Sequence, residues 1–158
     1  MLPTLALSAI LKKWRDVIST DSAILAYCTE KYNVAPKLFV EIDERNPPKE
    51  DSCPYIVLWP GHKVEGLNNV AYQYVIPVSW VIYQRAKVTT GAITEYSGVY
   101  EIDELGQLIL KAVAEANPDY PVTNVDFASN LTDYQPQYVG HMEITISVAI
   151  TMGADLEY

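Results

Sequence analysis

The sequence predicts an α+β fold: a two-layer sandwich whose mostly antiparallel or mixed sheet of about five strands has helices packed on one face. Three observations predict it. Apolar residues recur at helical spacing in three segments, and they alternate with polar residues at period two in several others. The two kinds of segment run in the order helix, helix, three strands, helix, two strands, which suits segregated layers better than a strictly alternating parallel sheet. With 158 residues, 49% of them hydrophobic and 20% charged, the chain fits one domain, 1–158, with enough apolar material for its own core.

Leu7, Ile10, Leu11, Trp14, Val17 and Ile18 make one stripe while Lys12, Lys13, Arg15 and Asp16 fall opposite, so Thr4 to Ser19 reads as an amphipathic helix. Asp21 is a good N-cap for a shorter helix, Ser22 to about Tyr32, with Ile24, Leu25 and Cys28 inward and with Asn33 and Pro36 closing it. The period then changes to two. Leu38 and Val40 alternate with Phe39 and Glu41, and the charged, proline-bearing stretch Asp43 to Asp51 reads as a surface loop. Pro54 to Trp59 is a short buried strand punctuated by Pro60 and Gly61.

In Val70 to Gln84, the residues Tyr72, Tyr74, Ile76, Val78, Trp80 and Ile82 form one face of a long strand. Pro77 lies in its middle and cannot donate a ladder hydrogen bond, which places it at a bulge or facing an open edge. Ala86 to Tyr96 reads as a loop. Gly98 to Asn117 is the main helix, with Ile102, Leu105, Leu108, Ile109, Ala112 and Val113 inward and Pro118 as its stop. Gly106 inside it costs about 1 kcal/mol relative to Ala, so close packing against the sheet or a bend is expected there. Val122 to Tyr134 and Gln137 to Met152 are the last strands, and the second alternates strictly, with Met142, Ile144, Ile146, Val148, Ile150 and Met152 on one face.

Two strands of about 15 residues would each span roughly 50 Å at about 3.3 Å per residue, whereas a domain of this size is only ~40 Å across. The long strands are therefore expected to curve strongly or to project, and a projecting edge is commonly covered by a neighbouring subunit. Twelve tyrosines, more than one core accommodates, point the same way, because tyrosine suits interfaces that are dry at one end and wet at the other.

A net charge of −9 with only eleven scattered basic residues argues against nucleic-acid binding, which rests on Lys and Arg neutralising phosphates. No apolar run reaches the roughly 20 residues of a membrane helix, so no membrane span is expected. Lys12 and Lys13 follow the first apolar residues, the reverse of a secretory signal, which leads to an expectation of a cytoplasmic protein. Cys28 and Cys53 then read as packed or surface thiols.

No phosphate-loop glycine spacing and no nucleophile elbow are found, and His62 and His141 supply a hydrolytic arrangement thinly. His141 and Glu143 share a strand face without a third ligand and read as a solvated polar face rather than a metal site. Glu41, Asp43, Glu44, Glu50 and Asp51 lack the order of a calcium loop. Tyr96, Tyr100, Glu101, Asp103 and Glu104 read as the opening turns of a helix whose dipole favours acids. No catalytic, cofactor or metal residue is assigned.

Several local phrases carry a likeness. These are the Ile10, Leu11, Trp14 stripe; Pro54, Tyr55, Ile56, Val57, Leu58 with its Pro60, Gly61 stop; Trp80, Val81, Ile82, Tyr83; the helix around Leu105 to Ala116; and the terminal strand entered through Val139, Gly140, His141, Met142. In these and in its layout the chain resembles the tail-terminator (tail-completion) proteins of long-tailed bacteriophages and prophages. The resemblance implies an α+β structural subunit that forms a homohexameric ring, caps the tail tube, ends its polymerisation and offers the surface that meets the head–tail connector. It also implies assembly in the host bacterial cytoplasm and residence in the virion tail, no catalytic residues, and DNA that passes through without specific binding. An acidic ring would repel phosphate and let DNA slide. Partner contacts are expected on the loops Asp43 to Asp51, Gly61 to Asn69 and Arg85 to Tyr96, with Asp43, Glu44, Arg45, Lys49, Glu50, His62, Lys63, Glu65, Arg85 and Lys87 as the candidate residues. The rival readings are another neck or head-completion protein and a small-molecule binding domain with a tyrosine-rich pocket.

Overall fold

A computed structural model describes residues 6–64, 71–116, 120–129 and 135–149. The first helix, α1 (Leu7–Thr20), buries Ile10, Trp14 and Ile18, and the second, α2 (Ser22–Tyr32), buries Ile24 and Cys28. Asp21 separates them as expected from sequence, its carboxylate accepting from the Ile24 N–H at 3.0 Å. Asn33 ends α2 in the left-handed conformation with its N–H bonded to the Thr29 carbonyl. The main helix, α3 (Ser97–Ala116), presents Ile102, Leu105, Ile109, Ala112 and Val113 to the core, while Leu108 is only partly buried.

The strands are β1 (Lys37–Val40), β2 (Tyr55–Leu58), β3 (His62–Val64), β4 (Ala71–Tyr83), β5 (Lys87–Thr90), β6 (Ile93–Tyr96), β7 (Val122–Ser129) and β8 (Gln137–Ala149). The main sheet runs β1-β2-β4-β8-β7, with β3 also paired to β4 and only the β1–β2 pair parallel. It is thus a mixed sheet of six strands where about five were expected, and β5 and β6 form a separate two-stranded sheet. The expected faces of β4 and β8 are in place, whereas in α2 Ile24 and Cys28 are buried and Leu25, expected inward beside them, is only half-buried. Tyr72, Tyr74, Ile76, Val78, Trp80 and Ile82 of β4 and Met142, Ile144, Ile146 and Val148 of β8 are all buried in the main core with the three helices. The outer ends of the expected first helix and last strand, including Ile150 and Met152, and the segment through Tyr134 lie outside the described residues.

The long strands, expected to curve strongly or to project, have their outer edges partly covered within the chain. β4 and β8 pair with each other over all thirteen residues, β2 and β3 cover the far edge of β4, and β7 covers β8 from Gly140 to Ile146. Pro77 sits where β2 gives way to β3. Between the pairs Leu58↔Val78 and His62↔Val75 the covering chain takes four steps against three on β4, so one residue is bulged out. The Pro77 carbonyl accepts from the Trp59 N–H at 3.0 Å, which puts the missing Pro77 donor on that same irregular side. Gly61 is needed at this crossing, because a Cβ there would overlap the Val75 carbonyl.

On the face away from the helices a smaller cluster joins Tyr55, Val57 and Val81 to Phe39, Ile42, Cys53, Trp59 and Val139, so both sides of β2 are dry and all four of its residues are buried. In the main core, Trp80 is fully buried, its indole N–H donates to the Ile102 carbonyl at 2.7 Å, and its ring packs on Phe127 at a centroid distance of 5.3 Å. Gly106 explains itself here: a Cβ on it would overlap the Trp80 and Phe127 rings, so close packing rather than a bend holds the glycine. Gly106→Ala should therefore lower stability by about 1–3 kcal/mol through overpacking, although Ala is the better helix former by about 1 kcal/mol. Urea denaturation decides the sign, and a raised midpoint would contradict this packing.

Candidate interaction surface

The segment from Arg85 to Tyr96, expected to be a loop, is mostly a β-hairpin. Lys87, Val88, Thr89 and Thr90 pair with Tyr96, Glu95, Thr94 and Ile93, and Gly91 at φ +62° opens the two-residue turn. Cross-strand partners share a face, so Val88, Thr90, Ile93 and Glu95 lie on one side and Lys87, Thr89, Thr94 and Tyr96 on the other. Every residue of both strands is exposed.

The base of this arm is firmly held. Both carboxylate oxygens of Glu101, 7% exposed, accept from the Gln84 side-chain amide at 3.0 and 3.2 Å. The Gln84 side-chain oxygen accepts from the Ala86 N–H at 3.0 Å, and the Ala86 carbonyl accepts from the Ser97 N–H at 3.1 Å. A buried carboxylate at the start of α3 thus fixes the point where the arm leaves β4 and returns. Beyond the base the arm is uncovered, with Val88, Ile93 and Tyr96 exposed among polar residues. Five of the eight exposed large hydrophobic residues among the described ones, Val88, Ile93, Tyr96, Val99 and Tyr100, fall in this short stretch, with Ile93 at 62% and Val88 at 55% exposure.

Between arm and helices lies a cleft of about 290 Å³ lined by Lys31, Val88, Glu95, Ser97, Tyr100, Glu101 and Glu104. The Tyr100 hydroxyl donates to Glu95 at 2.7 Å, and this bond to a carboxylate raises the phenol's pKa. Tyr27 donates to Glu104 at 3.1 Å; burial, then the Glu104 charge, pushes its pKa up. The cleft is therefore acidic with an apolar rim.

The candidate residues named from sequence do not form one surface. Glu50 and Arg85 come together as an ion pair that joins two of the expected loops, and hydrogen bonding to Arg85 lowers the Glu50 pKa. Lys87 opens the arm close by. Asp43, Glu44 and Arg45 instead sit by Glu41 and Trp59, with Asp43 accepting from the Arg45 backbone N–H at 3.0 Å. Lys49 caps a short 3₁₀ turn, Glu50–Ser52, through its carbonyl, which accepts from the Ser52 N–H at 2.9 Å. His62 and Lys63 are in β3, paired to Val75 and Tyr74, which lie eight or nine residues along β4 from its Tyr83 end. That is roughly 26–30 Å at about 3.3 Å per residue. Lys63 lies over the Tyr72 and Tyr74 rings, at 4.7 and 5.5 Å from their centroids. Glu65 is outside the described residues. The arm's own apolar residues were missed in sequence, yet the β-branched runs on either side of Gly91 and Ala92 were a legible hairpin signal.

His141 is engaged structurally. Its Nδ1 is 2.8 Å from the Ser79 hydroxyl, which also accepts from the Trp59 indole N–H at 2.9 Å, so the three residues cross-link the β2 end, β4 and β8. Ser79 is nearly buried, and among the described residues no carboxylate is hydrogen-bonded to His141 and no three His, Cys, Asp or Glu side chains converge as a metal site would need. Burial pushes the Cys28 thiol up to about 12, and burial with Glu50 and Asp51 does the same for Cys53. Among the described residues no helix is long and apolar enough to cross a membrane.

No protein-family model matches the chain, and no curated protein is significantly similar to it. Among solved structures it is similar to a chain in the virion of a native gene transfer agent particle, with a TM-score of 0.45 and 10% identity over 91% of this chain and 92% of that one.

Removing the carboxylate that anchors the arm gives a direct test of its base. Glu101→Ala should cost about 1–3 kcal/mol by leaving the part-buried Gln84 amide unpaired. It should also speed amide exchange at Ala86 and Ser97 more than in β8. Uniform acceleration across the sheet would mean that Glu101 supports the core and not the arm.

Proposed function

We propose that the protein is a structural subunit of a long-tailed phage or prophage tail, which assembles with copies of itself into a hexameric ring that caps the tail tube. In this reading the ring ends tube polymerisation and presents the surface that meets the head–tail connector. The observation that carries the assembly role is the β5–β6 arm. A two-stranded hairpin is marginal in water on its own, and this one exposes Val88 and Ile93 while its base is tied to the domain through Gln84 and the buried Glu101 carboxylate. Such an element gains most when another protein covers it.

The sequence phrases shared with tail-terminator proteins supply the kind of assembly. The net charge of −9 suits a ring through which DNA slides without being held. The protein works by docking rather than by chemistry, since the Ser79–His141 contact serves to cross-link strands.

Light scattering over a protein concentration series should give a mass near six chains, or the ring should form on purified tail tubes and block their further growth. Binding to a portal ring instead of the tube would move the assignment to a neck or head-completion protein. A protein that stays monomeric at every concentration and leaves tubes uncapped would end the ring reading, and ligand-dependent melting would then favour the small-molecule binding domain.

A further inference from the structure

A second surface on the same chain is complementary to the arm. Ser8, Leu11, Lys12 and Arg15 of α1 and Val40 of β1 line a groove of about 220 Å³. Its floor is apolar, and Val40, on the outermost strand of the sheet, is 50% exposed. Lys12, Lys13 and Arg15 put three of the eleven basic residues within four positions, the densest positive charge in an otherwise acidic chain. One face of the arm has the opposite character: Val88 and Ile93 share it with Glu95, Lys87 falls on the other face, and the cleft behind holds Glu101 and Glu104 against the single cation Lys31.

We propose that the groove between α1 and β1 of one copy receives the β5–β6 arm of a second copy, Ile93 and Val88 lying on Leu11 and Val40 while Glu95 and Glu104 face Lys12 and Arg15. This rests on the ring reading above and names the contact that builds the ring. The apolar groups supply the burial, and the charges set the register and exclude the wrong face, because copies at net −9 repel each other elsewhere. Arg15 already has an exposed partner in Asp16, at 2.9 Å, and exchanges it at little cost. Groove and arm belong to different elements, so the contact can run head-to-tail from copy to copy, and such a series forms a ring when its rotation closes.

The test reads the assembled mass, free or on tail tubes, in whichever state the wild type forms its ring. Lys12→Glu with Arg15→Glu, and separately Glu95→Lys with Glu104→Lys, should each reduce the ring to single chains, and the chain carrying all four reversals should recover it. Because Glu95→Lys also removes the Tyr100 hydrogen bond and Glu104→Lys that of Tyr27, Ile93→Asp at the exposed arm supplies an independent variant that should likewise give single chains with an unchanged melting temperature. The proposal falls if Ile93→Asp or either pair of reversals keeps the wild-type mass, or if the four reversals together stay monomeric. A wild-type ring that persists through the reversals removes only this contact, whereas a wild type that never forms a ring removes the ring reading and this contact with it.

Discussion

The packing of Trp80 between the layers is the constraint on which the rest of the structure depends. Its ring lies against two glycines, Gly106 of α3 and Gly140 opposite it on β8, and against Phe127 of β7. Its indole N–H is satisfied by a carbonyl of α3, so a large aromatic group can be fully dry without an orphaned donor. Truncating such a side chain typically costs about 3–5 kcal/mol, a large part of the stability of a domain this size. Because the two glycines leave no room for any Cβ, the helix can approach β4 and β8 only at one height along its length. That height sets where α3 begins, and so where Glu101 meets Gln84.

From this follows the position of the arm. Glu101 lies one residue before Ile102, whose carbonyl receives Trp80, so the buried anchor of the arm and the buried anchor of the core are adjacent on one turn of α3. Gln84 follows β4 directly, four residues beyond Trp80. The core therefore orients the arm through a short covalent path at both ends. Its hydrogen-bonded base limits the ordering entropy that a contact through the exposed residues would have to overcome.

Much of the fold was legible in the sequence because the period-two faces of β4 and β8 and the helical stripes of α1 and α3 carry their signal in every turn or pair of residues. Gly106 was legible as a close approach, though its partners Trp80 and Phe127 are distant in sequence and only the pairing of strands brings them together. Pro77 was legible as an irregularity, but the bulge belongs to the chain opposite, at Trp59 to Gly61, and no local pattern announces which partner strand must break. The arm was misread as a loop because its strands are four residues each and nothing buries one face, so the alternation that identifies β4 is absent. Of the residues chosen as contacts by charge, only Glu50, Arg85 and Lys87 lie near the arm. Charge marks solvent exposure well, but the signal of a contact surface here is apolar residues left uncovered, and exposure of an apolar residue is a tertiary fact.

The exposure of Val88 and Ile93 is also informative about what the domain does not do with them. The helix-free face of the sheet has an apolar cluster of its own around Tyr55, Val57 and Val81, covered by Phe39, Ile42 and Trp59. The fold thus covers apolar surface on both sides of the sheet, while the arm, held at Gln84 and Ala86, stays exposed and belongs to neither cluster. A hairpin free to collapse onto either face would lose its exposed apolar area. Held as it is, it keeps that area available, and the energy of covering it remains to be gained between chains rather than within one.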